Sequence, residues 1–447
     1  MKKFIETIKN IWSIEDLRNR ILTTLLLVLI YRVGSYIALP GIDPNRLAAF
    51  AETSSKGILG LFNMFAGGSF SRASIFALGI MPYISASIAI QLLTIAVPYF
   101  QKLQKEGESG RKKINQYTRI LTVVVTAFQA SAYVAYLKQQ SGGAIIDAYG
   151  SFMFWLSTTV VLTAGTLFVM WLGEKITDKG IGNGTSIIIM VGILARLPES
   201  LFQEFVSRTT EGGGGLLMFL IEIAFFILIT VGLILLVQGT RKIPVNYAKR
   251  IVGNKQFGGV RQFIPLKVNA AGVMPIIFAQ AIMFIPATAI NFATSSESAS
   301  GFVRIFSDPT NGYYSLIYCI LVIVFTYFYT ALIFNPSQMA EEMKRNNGFI
   351  PGVKPGQATA DYIGAVMDRI TLPGAFFLAL VGILPGLASA LHINAGFASF
   401  FGGTSLLIMV GVILDTLQQI ESQLLMRHYD GLMSSGRIKG RTTPANV

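Results

Sequence analysis

Ten stretches of about twenty mostly apolar residues recur along this chain, far more than a soluble core could bury. They run Ile21 to Leu39, Ile75 to Val97, Thr118 to Leu137, Phe152 to Gly173, Thr185 to Leu201, Leu216 to Val237, Asn269 to Asn291, Tyr313 to Phe334, Ile370 to Leu391 and Thr404 to Ile420. A hydrocarbon layer about 30 Å thick takes about 20 residues of helix to cross. With no water to bond to, a single apolar segment there satisfies its backbone only as a helix. Composition agrees: 52% of the 447 residues are hydrophobic and 13% charged, where a soluble domain carries about 25% charged residues. The sequence predicts an all-α polytopic membrane protein and excludes a water-soluble enzyme or a disordered chain.

An even number of spans places both termini on one side. That side holds 28 of the 36 Lys and Arg residues, so the positive-inside rule makes it the cytoplasm. Residues 1–20 read as a cytoplasmic amphipathic helix rather than a cleaved signal. Phe4, Ile5, Ile8, Ile11 and Trp12 share a face, and Lys2, Lys3 and Lys9 are free for headgroups. Two five-span halves follow, 21–201 and 216–420, with a cytoplasmic tail over 421–447. Five spans followed by five of opposite orientation is the arithmetic of an inverted repeat. The second span of each half carries proline, Pro82 in one and Pro275 and Pro286 in the other, which predicts interrupted helices at matching positions. Between the first two spans, the apolar segment 57–70 is too short to cross and reads as a re-entrant or buried piece.

Most catalytic chemistry has no place to stand. There is no Gly-x-x-x-x-Gly-Lys-Ser/Thr loop, and Gly180 to Gly184 reads as a tight cytoplasmic turn. His392 and His428 are the only histidines and Cys319 the only cysteine, so no metal site, intrachain disulfide, catalytic residue or cofactor is expected. Glu222 and Asp415 lie within spans, where a carboxylate is a candidate functional group. They keep open an alternative, a secondary transporter built on the inverted repeat. The plainer reading pairs each with an Arg or Lys on a neighbouring helix or subunit.

Two cytoplasmic loops are longer than a connection requires. The 238–268 loop holds Arg241, Lys242, Lys249, Arg250, Lys255, Arg261 and Lys267 with no acid, interleaved with Tyr247, Phe257 and Phe263. That mix suits phosphate contact and stacking. The 335–369 loop contains a Pro- and Gly-punctuated turn, Asn346 to Gly356, that displays Lys354. Together they predict a docking platform for something large.

Six strings carry a family resemblance: "SRASIFALGIMPYISASIAIQLL" (71–93), "KEGESGRKKINQYTR" (105–119), "WLGEKITDKGIGNGTSIII" (171–189), "PLKVNAAGVMPIIF" (265–278), "GFIPGVKPGQAT" (348–359) and "FGGTSLLIMVGVILD" (401–415). In this order they resemble the SecY family, channel subunits of the bacterial protein-conducting translocon. The resemblance implies a clamshell of two halves in the bacterial cytoplasmic membrane, with a lateral gate to lipid between the second and seventh spans. Segment 57–70 would be the plug, with Leu59, Leu61, Phe62, Met64 and Phe65 as its apolar face. A pore ring would fall on Ile80, Ile84, Thr185, Ile189, Ile277 and Ile408, since a narrow apolar collar dewets against ions yet deforms around a polypeptide. Thr185 departs from the aliphatic residue usual there. Ser85, Ser87, Gln129, Asn269 and Ile285 would line the gate. Implied partners are SecE, SecG, the SecA motor, the ribosome through contact of the basic loops with its RNA, signal sequences with their nascent chains, and membrane lipids. Lys354 stands where arginine is usual, which keeps the charge but loses the planar fork.

Overall fold

Among the described residues, helices carry the long apolar stretches, and strands are confined to 240–267 and 348–349. The computed structural model describes Trp12 and residues 14–43, 47, 63–140, 151–210, 215–247, 250–252, 255–257, 261–280, 282–283, 311–391 and 393–434. The chain groups into two compact units, one of residues 1–51, 65–192 and 412–447, the other of 52–64 and 193–411.

The first unit contains α1 (Glu15–Gly34), α2 (Met81–Ala96), α3 (Pro98–Lys105), α4 (Glu108–Gln140), α5 (Ser151–Lys179) and most of α6 (Gly184–Leu194). Small residues let the turn segment 66–80 lie close against these helices, as expected where no hydrophobic effect drives packing in lipid. A Cβ on Gly165 of α5 would stand 2.2 Å from the Ile75 carbonyl, and one on Gly34 of α1 would stand 2.0 Å from the Phe76 ring. Arg119 of α4 and Glu174 of α5 form a two-pronged ion pair, at 3.0 and 2.8 Å. The turn after α5 is bonded from three helices. Thr24 of α1 accepts from Ile181 N, Thr177 of α5 from Gly184 N, and Gln419 from Gly182 N.

The second unit contains α7 (Leu197–Thr210), α8 (Gly215–Gln238), β1 (Thr240–Tyr247), β2 (Arg250–Val252), β3 (Lys255–Phe257), β4 (Arg261–Lys267), α9 (Gly312–Ile333), α10 (Pro336–Arg345), β5 (Gly348–Phe349), α11 (Gln357–Ala390) and α12 (Ala395–Ala398). The last helix, α13 (Gly403–Ser434), begins in this unit and joins the first from residue 412. Asn311 and Asn335 cap α9 and α10, each side chain accepting a first-turn N–H. Leu217, Leu228 and Leu235 of α8 are more than half exposed, an outward apolar face that lipid covers.

Among the described residues seven helices are long and apolar enough to cross a membrane, and the pair α2–α3, bent by 95°, makes an eighth. With α1 in the first expected span and the helical residues 274–280 and 282–283 in the seventh, the structure is consistent with ten. One expectation needs correcting. Pro82 does not interrupt a helix; residues 66–80 are turns apart from a bridge from Ser74 to Ala38, and α2 begins at Met81 with Pro82 in its first turn. A proline costs nothing there because the first-turn N–H groups have no helical partner anyway. Pro275 likewise sits at the start of 274–280, while Pro286 lies outside the described residues.

Glu222 of α8 is 3% exposed and pairs at 2.7 Å with Arg208 of α7. Arg208 also donates to Glu204 at 2.9 Å, and the second oxygen of Glu204 accepts the backbone N–H of Asn394 at 2.9 Å. This ties α7, α8 and the entry to α12. Removing one member of a buried ion network strands the others, at a cost of about 3–5 kcal/mol. Arg208→Ala should therefore lower the thermal unfolding temperature of the purified protein, whereas Arg208→Met combined with Glu204→Gln and Glu222→Gln should recover most of the loss. A single Ala variant as stable as the parent would contradict this.

Candidate functional site

The six residues of the expected ring divide between the units. Ile80, Ile84, Thr185 and Ile189 belong to the first, Ile277 and Ile408 to the second. Ile80, Ile189 and Ile408 are buried, and Ile84 and Ile277 half-buried. Thr185 opens α6, where Asn183 is the cap: its Oδ1 accepts from the backbone N–H of Thr185 and Ser186 and from the Thr185 hydroxyl, the last at 2.6 Å. The Thr185 methyl stands 3.2 Å from where a Cβ would sit on Gly173. Both arms of Thr185 are thus engaged inside the first unit, one by the cap and one by α5.

Of the expected plug residues, Leu59, Leu61 and Phe62 lie outside the described residues. Met64 and Phe65 are buried, and the division between units falls between them. The Ser399 hydroxyl donates to the Met64 sulfur at 3.3 Å. Beyond Phe65 the chain is fixed by bonds from two helices and from its own neighbours: Tyr133 of α4 donates to the Phe70 carbonyl at 2.7 Å, and Arg32 of α1 reaches Gly67.

At the expected gate, Ser85 bonds back to Met81 O and Ser87 accepts from Gln91, both within α2. Hydroxyls that return to their own helix cost little in lipid. Gln129 is half-buried on α4, and Ile285 lies outside the described residues. Asn269 differs. It is 8% exposed, and its Oδ1 is buried with no hydrogen bond among the described residues.

The basic loop folds as a sheet. β1 pairs antiparallel with β4 from Thr240↔Lys267 to Asn246↔Arg261, and β5 adds at Asn246↔Phe349. β2 and β3 form a separate two-stranded ladder. One side of the three-stranded sheet supplies Ile243, Val245 and Leu266 to a small core completed by Met343, Ile350, Ile363 and Met367. This core joins the sheet to α10 and to the first turns of α11. Arg241, Lys242, Arg261 and Lys267 are left exposed, with the Arg261 guanidinium 5.8 Å from the Phe263 ring. Lys354 is exposed in a turn held by left-handed Gly352 and Gly356 and by the Thr359 hydroxyl on the Lys354 carbonyl. Lys249 lies outside the described residues, and of Arg250 and Lys255 only the backbone is described.

The family model described as SecY matches residues 74–417, more than three quarters of the chain. The chain belongs to the SecY family. It is 44% identical to the protein translocase subunit SecY of Thermus thermophilus over 97% of this chain and 99% of that protein. The SecY of Streptomyces scabiei is 42% identical, over 94% and 97%. Among solved structures, one described as "The structure of a protein conducting channel" superposes with a TM-score of 0.64 at 16% identity, covering 91% of this chain and 92% of that one. Sec61 in the canine ribosome–channel complex gives 0.60 at 15%, with the same coverage. The fold of this SecY chain is thus that of the known channels. Arg208, as the partner of Glu222, was not legible beforehand, because it stands on another helix outside the predicted spans.

Leu266 buries its side chain in the core under the basic sheet. Leu266→Ala should cost the platform about 2–5 kcal/mol. Trypsin should then cleave the folded protein faster at Arg261 or Lys267, with the spans still protected. Unchanged cleavage would show that the sheet does not depend on this core.

Proposed function

We propose that this chain forms the central conduit of a protein translocase in the bacterial cytoplasmic membrane, with both termini in the cytoplasm. Unfolded secretory chains pass through its centre, and sufficiently hydrophobic segments leave sideways into lipid. The observation that carries this reading is 44% identity across almost the whole length of a protein translocase subunit SecY. Ile80, Ile84, Ile189, Ile277 and Ile408 form the dewetting collar. Thr185 contributes least to it, its hydroxyl and methyl both being engaged elsewhere. Segment 57–70 is the plug. Asn269, whose buried Oδ1 has no partner among the described residues, is the polar group whose bonding sets how hydrophobic a signal must be to open the gate.

SecE and SecG complete the complex. The SecA motor or the ribosome supplies the energy, seated on Arg241, Lys242, Arg261 and Lys354 of the platform, with Lys249, Arg250 and Lys255 on the same loop. Two observations disfavour the transporter alternative: Glu222 is committed to Arg208, and Asp415 is exposed on α13.

Reconstituted in vesicles with SecE, SecA, ATP and a signal-bearing precursor, the chain should render the precursor protease-protected. Protection that does not require this chain would sink the reading. Ile408→Asn should admit precursors with weakly hydrophobic signals. Asn269→Leu should shift the signal-hydrophobicity threshold; each polar contact in such a seam is worth about 0.6–2 kcal/mol, or roughly three- to thirtyfold in opening. Replacing Arg241, Lys242 and Lys354 by glutamate should weaken motor binding at low salt and flatten its remaining dependence on salt.

A further inference from the structure

The turn between α5 and α6 is held amide by amide. Gly180 N–H donates to Ile176 O at 2.8 Å, and Ile181 N–H to Thr24 Oγ1 at 3.1 Å. Gly182 N–H donates to Gln419 Oε1 and Gly184 N–H to Thr177 Oγ1, both at 2.9 Å. Gly182 has φ +78, a left-handed conformation that favours glycine, and a Cβ on it would stand 3.1 Å from Thr416 Oγ1. Thr416 and Gln419 are three residues apart on α13 and share a face. That face rests on the turn.

The three side chains that take these amides differ in what their release would cost. Thr24 and Thr177 also donate back to their own helices, to Arg20 O and Gly173 O, each at 2.9 Å. All four of these contacts are partly buried, so breaking one strands a polar group. The Gln419 bond is exposed, and water can take over both partners when it opens. Of the three, only this contact releases at small cost.

Its place on α13 gives it reach. That helix begins in the second unit, carries Ile408, and belongs to the first unit from residue 412. Gln419 lies eleven residues beyond Ile408, about 16 Å along unbroken helix. The turn it grips launches α6, which carries Thr185 and Ile189.

We infer that Gln419 is a positioning residue of the collar: closed on Gly182, it latches the C-terminal half of α13 to the turn that opens α6 and so holds Ile408 in place. The inference rests on the collar reading above and adds the contact that locks it at rest.

Two variants of the full chain, reconstituted with SecE in vesicles, test the latch. Gln419→Leu removes the acceptor. Hydrogen exchange at the Gly182 amide, resting ion leak and import of precursors with weakly hydrophobic signals should each rise about two- to tenfold, the range that one hydrogen bond covers. Gln419→Glu keeps an acceptor oxygen, its charge is favoured by the positive end of α6, and all three readouts should stay near the parent. Unchanged Gly182 exchange in Gln419→Leu would overturn the inference, as would faster exchange with leak and import unaltered. Equal effects of the two variants would overturn it as well, because the bond would then not be the cause. Import of a strong-signal precursor by the parent tests the channel reading separately, and its failure would sink that reading whatever Gly182 reports.

Discussion

Within a bilayer an unpaired amide has no water to turn to, and the architecture of this chain follows from that one prohibition. The long apolar stretches are helical because a helix closes its backbone bonds within the segment. Side-chain hydroxyls obey the same rule. Thr122, Thr126, Thr326 and Thr371 each return a bond to the carbonyl four residues back. Among the described residues strands occur only where the chain has left the apolar spans, in 240–267 and 348–349, where water and a small core of their own complete them. Irregular backbone in 66–80 is tolerated because tyrosine, serine and arginine side chains and strand-like bonds to residues 37 and 39 satisfy it.

The same prohibition explains why buried charge appears as a closed group. Arg208 stands in ion-pair contact with both Glu204 and Glu222, and Glu204 takes in the Asn394 amide, so that a costly set of ions fastens three elements. Packing of the irregular segment against the helices relies instead on glycine. Gly165 and Gly192 admit the backbones of Ile75 and Phe65, and Gly34 admits the Phe76 ring, where larger side chains would clash.

The spans and the basic loops were legible because each is a local property: twenty apolar residues, or seven cations without an acid. The family strings were legible for the same reason. What the sequence withheld was mostly long-range. The alternation of Ile243 and Val245 against Lys242 and Pro244 was present, but at eight residues it was lost within a loop identified by its charge. α11 begins at Gln357, thirteen residues before the expected span, because Asp361, Asp368 and Arg369 mark the edge of the apolar region and not the end of the helix. Pro82 was read as a break because its position within the helix was unknown. The convergence of Arg32 and Arg72 on Gly67, thirty-five and five residues away, has no local signature at all.

The length of α11 has a mechanical consequence. Its 34 residues make a rod about 50 Å long at 1.5 Å per residue, well beyond what the hydrocarbon layer takes up. Ile363 and Met367, toward its N-terminal end, share one core with the basic sheet and α10. Sheet and span are therefore two ends of a single lever. A load applied to the sheet is delivered straight into the first turns of this helix, with no linker between, and the bends it can cause fall at Pro373 and Pro385 within the span.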